Sequence, residues 1–202
     1  MIKSMIKAGA LLFIFTVISV FLVVLIYDST KAQIKYNEEQ LLIQRLGELV
    51  ENYDNDILKD KFLKVITLHG VKQTIGIYPA KKKNKTFAYL IEHTYPNGYS
   101  GGIRLLTGVS VDKKLLGVRV IAHKETPGLG DKIELKKSNW IEQFKGLSLF
   151  NPNKNQWKVK RDGGTFDAFT GATITPRAIV TATYQVLELL NEPCPFSKKP
   201  CN

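Results

Sequence analysis

Cysteine, histidine and tryptophan are scarce in this chain: two, three and two residues among 202. Both cysteines, Cys194 and Cys201, lie in a proline-rich tail, with no Cys-x-x-Cys pair and no Cys/His cluster. Zinc and iron–sulfur centres need several such ligands at short spacing, so no metal site is expected. The two thiols are left as a small disulfide, given an oxidising compartment, or as free thiols in a frayed terminus. His69, His93 and His123 are spaced neither for a metal nor around an obvious nucleophile. No Gly-x-Gly-x-x-Gly follows a strand, and no Walker loop occurs. Gly98-Tyr99-Ser100-Gly101-Gly102 looks like a nucleophile elbow only superficially, because that motif needs a parallel sheet and a longer chain. Acids are outnumbered, 18 Asp and Glu against 29 Lys and Arg, for a net charge of +11. The bases are scattered in short runs, with no dense arm and no helix face interleaved with aromatics, so no nucleic-acid partner is expected. A lysine-rich proteome, or a mild pull towards an acidic membrane surface, is the plainer account of the charge.

What the chain does have is one long apolar run. Residues 8–27 carry no charge and are dominated by Leu, Ile, Val and Phe, long enough to cross a bilayer as a helix. Ile26-Tyr27-Asp28-Ser29 offers no small-x-small cleavage site, so the run reads as an uncleaved anchor. Lys3 and Lys7 before it are nearly balanced by Lys31 and Lys35 after it, which leaves orientation almost tied on charge. Residues 28–53 stay helix-compatible, with Ile34, Leu41, Leu42, Leu46, Leu49 and Val50 to one side, as an amphipathic stalk or an ordinary core-packing helix.

Beyond the stalk, residues 73–78, 86–92, 101–109 and 115–123 are rich in β-branched and aromatic side chains and are separated by turn signals at Pro79 to Lys85, Pro96-Asn97-Gly98 and Asp112-Lys113-Lys114. Consecutive strands joined by short turns imply an antiparallel sheet. With helices flanking it the expected class is α+β. Trp140, Ile141 and Phe144 recur at helical spacing, as a short core helix.

Two stretches carry more polar chemistry than connectors need. In Asp167-Ala-Phe-Thr170-Gly171-Ala172-Thr173-Ile-Thr175-Pro176-Arg177, two hydroxyls bracket a Gly-Ala pair, and a helix begins, with Thr175 as the expected N-cap and Pro176 at its first position. A helix start favours phosphate. Arg177 in its first turn is poorly placed against the dipole unless an anion sits beside it. The second stretch, His123-Lys124-Glu125-Thr126-Pro127-Gly128-Leu129-Gly130-Asp131-Lys132, centres on a tight turn hemmed by ionisable groups.

Asp167-x-x-Thr170-Gly171-Ala172-Thr173 resembles the flavinylation motif of FMN-binding subunits in membrane redox complexes. The extension through Ile174-Thr175-Pro176-Arg177 is most similar to the G-type component of the Rnf (or Rsx) ion-translocating electron transport complex. Glu125-Thr126-Pro127-Gly128-Leu129-Gly130 and the run Pro96 to Gly102 match the same family. The resemblance implies FMN joined through its phosphate to Thr173, by a flavin transferase that uses FAD with magnesium. Thr170, Gly171, Ala172 and Thr175 would surround the phosphate. Asp167 would serve transferase recognition, Glu125, Thr126, Leu129 and Gly130 would cover the flavin, and Lys132 would place a charge near it. It further implies a redox carrier among other subunits of a complex coupling electron transfer to ion movement, rather than a stand-alone enzyme. The corresponding division is a cytoplasmic tail (1–7), a transmembrane anchor in the bacterial inner membrane (8–27), the stalk (28–53), a periplasmic FMN-binding domain (54–191) and a Pro/Cys tail (192–202). The alternative is a membrane-anchored extracytoplasmic binding or assembly module without flavin, its Thr-rich helix start being only a cap.

Overall fold

A computed structural model describes residues 2–192; Cys194 and Cys201 lie outside the described residues. Helix α1 runs unbroken over Ile2–Leu49. Within it lies a stretch of mean hydropathy 3.0, long and apolar enough to cross a membrane. Among the described residues, 2–43 and 44–192 form two separate units. In the first, the helix side chains from Ile2 to Gln40 are exposed. Exposed apolar residues such as Phe13, Phe15 and Phe21 are what a lipid-facing helix presents and what water would penalise.

The second unit is α+β. Five strands, β1 (Phe62–Leu68), β2 (Val71–Lys82), β3 (Lys85–Tyr95), β4 (Ile103–Ser110) and β5 (Leu115–Ala122), form one antiparallel sheet in sequence order. One face, carrying Ile75, Ile77, Ile91, Leu105, Val118 and Val120, is buried with helix α2 (Ile174–Asn191) and with 3-10 turns at Gly130–Ile133 and Asn139–Phe144. Ala178, Ile179, Ala182, Val186, Leu187 and Leu190 supply the apolar stripe of α2. On the other face, Leu49 from the last turn of α1 lies against Gly108 and Gly117, where a Cβ on either would come within 3.5 and 2.9 Å of it. Arg119 from that face pairs with Glu48 of α1 at 2.8 Å and with Glu142 at 2.6 Å.

The strand boundaries differ from the sequence expectation in two places. β1 is an additional strand: its exposure alternates, with Leu63 and Val65 outward, and its turn to β2 is made by His69 and Gly70 at positive φ. Pro79 falls inside β2 rather than in a turn. Pairing with β1 ends at Ile77, so Pro79 sits where β2 has become an edge and a missing N–H is harmless. The turn falls instead on Lys83 and Asn84, both at positive φ.

A polar chain crosses the core between helix and sheet. Thr107 Oγ1 lies 3.0 Å from His93 Nε2, His93 Nδ1 2.9 Å from His69 Nε2, and His69 Nδ1 2.5 Å from Gln185 Oε1 of α2. With both rings neutral, as their burial favours, the Gln185 oxygen, which can only accept, sets the direction: Thr107 donates to His93, His93 to His69, and His69 to Gln185. Burial pushes His93 well below its ordinary pKa, reinforced by His69; burial likewise lowers His69, against the bond to Gln185.

Candidate functional site

The two polar stretches meet. Thr126 to Gly130 folds as a tight turn: Leu129 and Gly130 donate their N–H groups to the Thr126 carbonyl at 3.2 and 3.0 Å, and Gly128 takes φ +78°. Pro-Gly at the two central positions is the composition this turn demands. Phe169 to Ala172 folds the same way, with the Ala172 N–H on the Phe169 carbonyl at 3.2 Å and Gly171 at φ +82°. Trp140 pins this second turn by donating its indole N–H to the Asp167 carbonyl at 2.8 Å, with its ring edge-on to Phe169. Trp140 is therefore part of the support.

Between the turns lies a cleft of about 430 Å³, within the range of small-molecule sites (roughly 300–1,000 Å³). Its wall is formed by Glu125, Thr126, Leu129 and Gly130 on one side and by Gly171, Ala172, Thr173, Ile174 and Thr175 on the other, with Tyr99 at the mouth. Glu125 ties the walls together. The residue is 3% exposed, and its carboxylate accepts the Thr175 hydroxyl and also the Ser100 N–H at 3.1 Å. Gly130 makes that approach achievable: a Cβ there would lie 2.9 Å from both Glu125 Cβ and Thr175 Oγ1. His123 sits behind the wall, with Nδ1 accepting the Glu125 N–H at 3.0 Å and Nε2 2.8 Å from Glu134.

Thr173, not Thr175, occupies the N-cap position of α2, and its side chain makes no capping hydrogen bond. Thr175 lies inside the helix, and its hydroxyl is committed to Glu125. The Thr173 hydroxyl faces Arg161, whose Nη1 is 3.4 Å away. Arg177 does have its anion: Asp162 accepts two bonds from the guanidinium, both at 2.6 Å, which hold its carboxyl below the usual carboxylate range.

Of the residues read from the sequence, Glu125, Thr126, Leu129, Gly130, Gly171, Ala172, Thr173 and Thr175 are brought to the cleft. Asp167, Thr170 and Lys132 do not line it. Asp167 pairs with Lys160 at 2.6 Å, and Thr170 is exposed. Sequence reasoning misses Tyr99, Ile174 and Arg161. Tyr99 sits in the Pro96–Gly102 run that matches the family, so its place in that run is the available signal. Arg161 is twelve residues before Thr173, and no local pattern links them.

Comparison with known proteins decides the family. A family model of the FMN-binding domain matches residues 98–188, and one of the RnfG N-terminal region matches residues 1–49. Relatives named as the G component of an ion-translocating oxidoreductase complex include that of Vibrio cholerae serotype O1 (strain M66-2), 41% identical over 95% of this chain and 93% of the relative. The one from Pseudoalteromonas atlantica is 46% identical over 87% and 83%, and the one from Pseudomonas aeruginosa 43% over 92% and 88%. The chain belongs to the RnfG family of ion-translocating oxidoreductase complexes. The expected α+β class, the family resemblance and an FMN-binding domain all stand. The cleft of this RnfG-family chain fits FMN in chemistry. Apolar surfaces of Tyr99, Leu129 and Ile174 suit a flat ring, the start of α2 with Arg161 beside it suits a phosphate, and the Thr173 hydroxyl there makes no capping bond.

Proposed function

We propose that this chain is a membrane-anchored electron-transfer subunit that carries FMN in phosphoester linkage to Thr173. FMN, once bound, supplies reversible electron transfer that no side chain here provides. The observation that carries the reading is the convergence at Thr173. Two turns, Thr126 to Gly130 and Phe169 to Ala172, enclose one cleft, and the Thr173 hydroxyl at its edge makes no capping bond. Thr173 Oγ would form a bond to the flavin-side phosphorus of FAD, the diphosphate P–O bond would break, AMP would leave, and the hydroxyl proton would pass to a base of the flavin transferase. Leu129, Ile174 and Tyr99 would exclude water from one end of the group. Thr126, Gly130, Gly171 and Ala172 would leave room for it, and the Glu125–Thr175 pair would hold the walls at fixed spacing.

Asp167 and Thr170, outside the cleft, are assigned to recognition by the transferase, and Lys132 to the charge around the site. The apolar part of α1 would anchor the chain in the bacterial inner membrane, with residues 1–7 cytoplasmic and 54–191 periplasmic. A tether suits that location, since a cofactor that cannot dissociate cannot be lost outside the cell. The other subunits of the complex would be its electron-transfer partners.

The test is flavin fluorescence in a denaturing gel, together with intact mass, on protein made with its transferase present. A fluorescent band and an FMN-sized mass increment, both absent in Thr173→Ala, are expected. A flavin released on denaturation, or no flavin at all, overturns the linkage; the latter leaves a binding or assembly module.

A further inference from the structure

The segment Lys160-Arg161-Asp162 places three charges in a row beside the start of α2, and two of them are engaged. Lys160 pairs with Asp167 at 2.6 Å, and Asp162 gives both its oxygens to Arg177. Arg161 has no carboxylate within ion-pair distance among the described residues. Its guanidinium instead lies 3.4 Å from Thr173 Oγ1, a neutral acceptor that cannot balance its charge. The Asp162–Arg177 pair fixes the neighbouring residue to the first turn of α2, so Arg161 is held beside this hydroxyl by the backbone on either side. A surface cation aimed at a hydroxyl gains little in water. The same cation beside a phosphate gains a short, charge-assisted and bidentate contact.

We propose that Arg161 is the phosphate-holding residue of the flavinylation site. This rests on the Thr173 linkage proposed above and adds a role in two stages. During attachment Arg161 holds the diphosphate of the flavin dinucleotide against Thr173 Oγ and offsets the negative charge that gathers as the Oγ–phosphorus bond forms and AMP leaves. After attachment the phosphodiester keeps one negative charge, and Arg161 neutralises it at the edge of the cleft.

The experiment follows flavinylation of the full chain in detergent by its purified transferase with FAD and magnesium, reading intact mass against time. Wild type, Arg161→Ala, Arg161→Gln, Arg161→Lys and Thr173→Ala are compared, with thermal unfolding as a check on each fold. Loss of one charge-assisted contact slows Arg161→Ala and Arg161→Gln roughly tenfold. Arg161→Lys, which keeps the charge but loses the bidentate fork, recovers part of that loss and falls between wild type and Arg161→Gln. The wild-type rate falls with added salt more steeply than that of Arg161→Gln, because only the former has a charge to screen. On the flavinylated proteins the ³¹P resonance of the phosphodiester moves in Arg161→Gln and less in Arg161→Lys. Wild-type rate, salt dependence and ³¹P resonance in Arg161→Ala and Arg161→Gln overturn the role of Arg161 while leaving the linkage intact. A wild-type chain that gains no flavin mass from active transferase overturns the linkage and the role of Arg161 with it.

Discussion

Thr175 donates its hydroxyl hydrogen to the buried carboxylate of Glu125, joining the first turn of α2 to the Thr126–Gly130 turn. The same carboxylate accepts the Ser100 N–H, so one side chain fixes three segments that are far apart in sequence. Glu125→Ala leaves a buried hydroxyl and a backbone amide without their acceptor and opens a small void. The expected loss is about 2–3 kcal/mol of unfolding free energy. Glu125→Gln keeps an acceptor of the same reach and costs less. Urea unfolding of the two variants separates the acceptor role from the carboxylate's charge; equal losses would mean that the junction needs both carboxylate oxygens and their charge rather than a single acceptor.

Gly130→Ala tests the same junction from the backbone side. A Cβ would sit 2.9 Å from Glu125 Cβ and from Thr175 Oγ1, with no flexible chain end to yield. Displacing this contact is expected to cost about 1–3 kcal/mol and to lower flavin loading per folded chain. Full loading at wild-type stability would show that the turn shifts freely and that the close approach is incidental.

Much of this junction is legible in the sequence because its parts obey local rules. Pro127-Gly128 and Gly171 mark turns that need their φ values, and the apolar spacing of Ile179, Val186 and Leu190 marks α2. What is not legible depends on tertiary pairing. Thr175 has the composition of an N-cap, but its hydroxyl goes to Glu125, fifty residues earlier, and the cap position falls on Thr173. Pro79 carries a turn signal that is overridden because β1 stops pairing at Ile77. Arg161 meets Thr173 across twelve residues, beside the Asp162–Arg177 pair that joins its segment to α2.

The histidine chain predicts a pH effect on stability. His69 and His93 have native pKa values lowered by burial from 6.5, so the unfolded chain binds protons first as the pH falls. Their contribution is fully present above pH 6.5 and is lost progressively below it, towards the depressed native values. Each histidine contributes a slope of up to about 1.4 kcal/mol per pH unit within that window. Urea midpoints measured from pH 7.5 to 5 should fall in wild type, and His93→Gln should flatten the slope. A wild-type midpoint that holds steady over this range contradicts the neutral assignment of the pair.

Glu48 stands between two arginines that are each 5% exposed, Arg45 and Arg119, bonded at 3.0 and 2.8 Å. Glu142 gives Arg119 a second partner, but Arg45 has no other carboxylate within ion-pair distance among the described residues. Glu48→Ala therefore leaves a buried cation unpaired, at a cost of about 3 kcal/mol. Replacing Arg45 and Glu48 together by Met and Leu should restore much of that loss, because an apolar pair needs no counter-charge. A double variant as unstable as the single would place the cost in packing rather than in charge.

Thr170 and Thr173 share one motif but not one environment. Thr170 is exposed and lies outside the cleft, whereas Thr173 lines it at the start of α2 with Arg161 beside its oxygen. If the linkage depends on that setting, Thr170→Ala still acquires the FMN mass increment, more slowly to the extent that the transferase reads Thr170, and Thr173→Ala acquires none. Thr173→Ser keeps a hydroxyl at the same place and retains flavin, since the cap position requires no methyl group and the side chain makes no capping bond. Mass-mapped peptides from the three variants decide the matter. Flavin found on residue 170 in any of them would mean that accessibility, rather than the cleft, selects the acceptor.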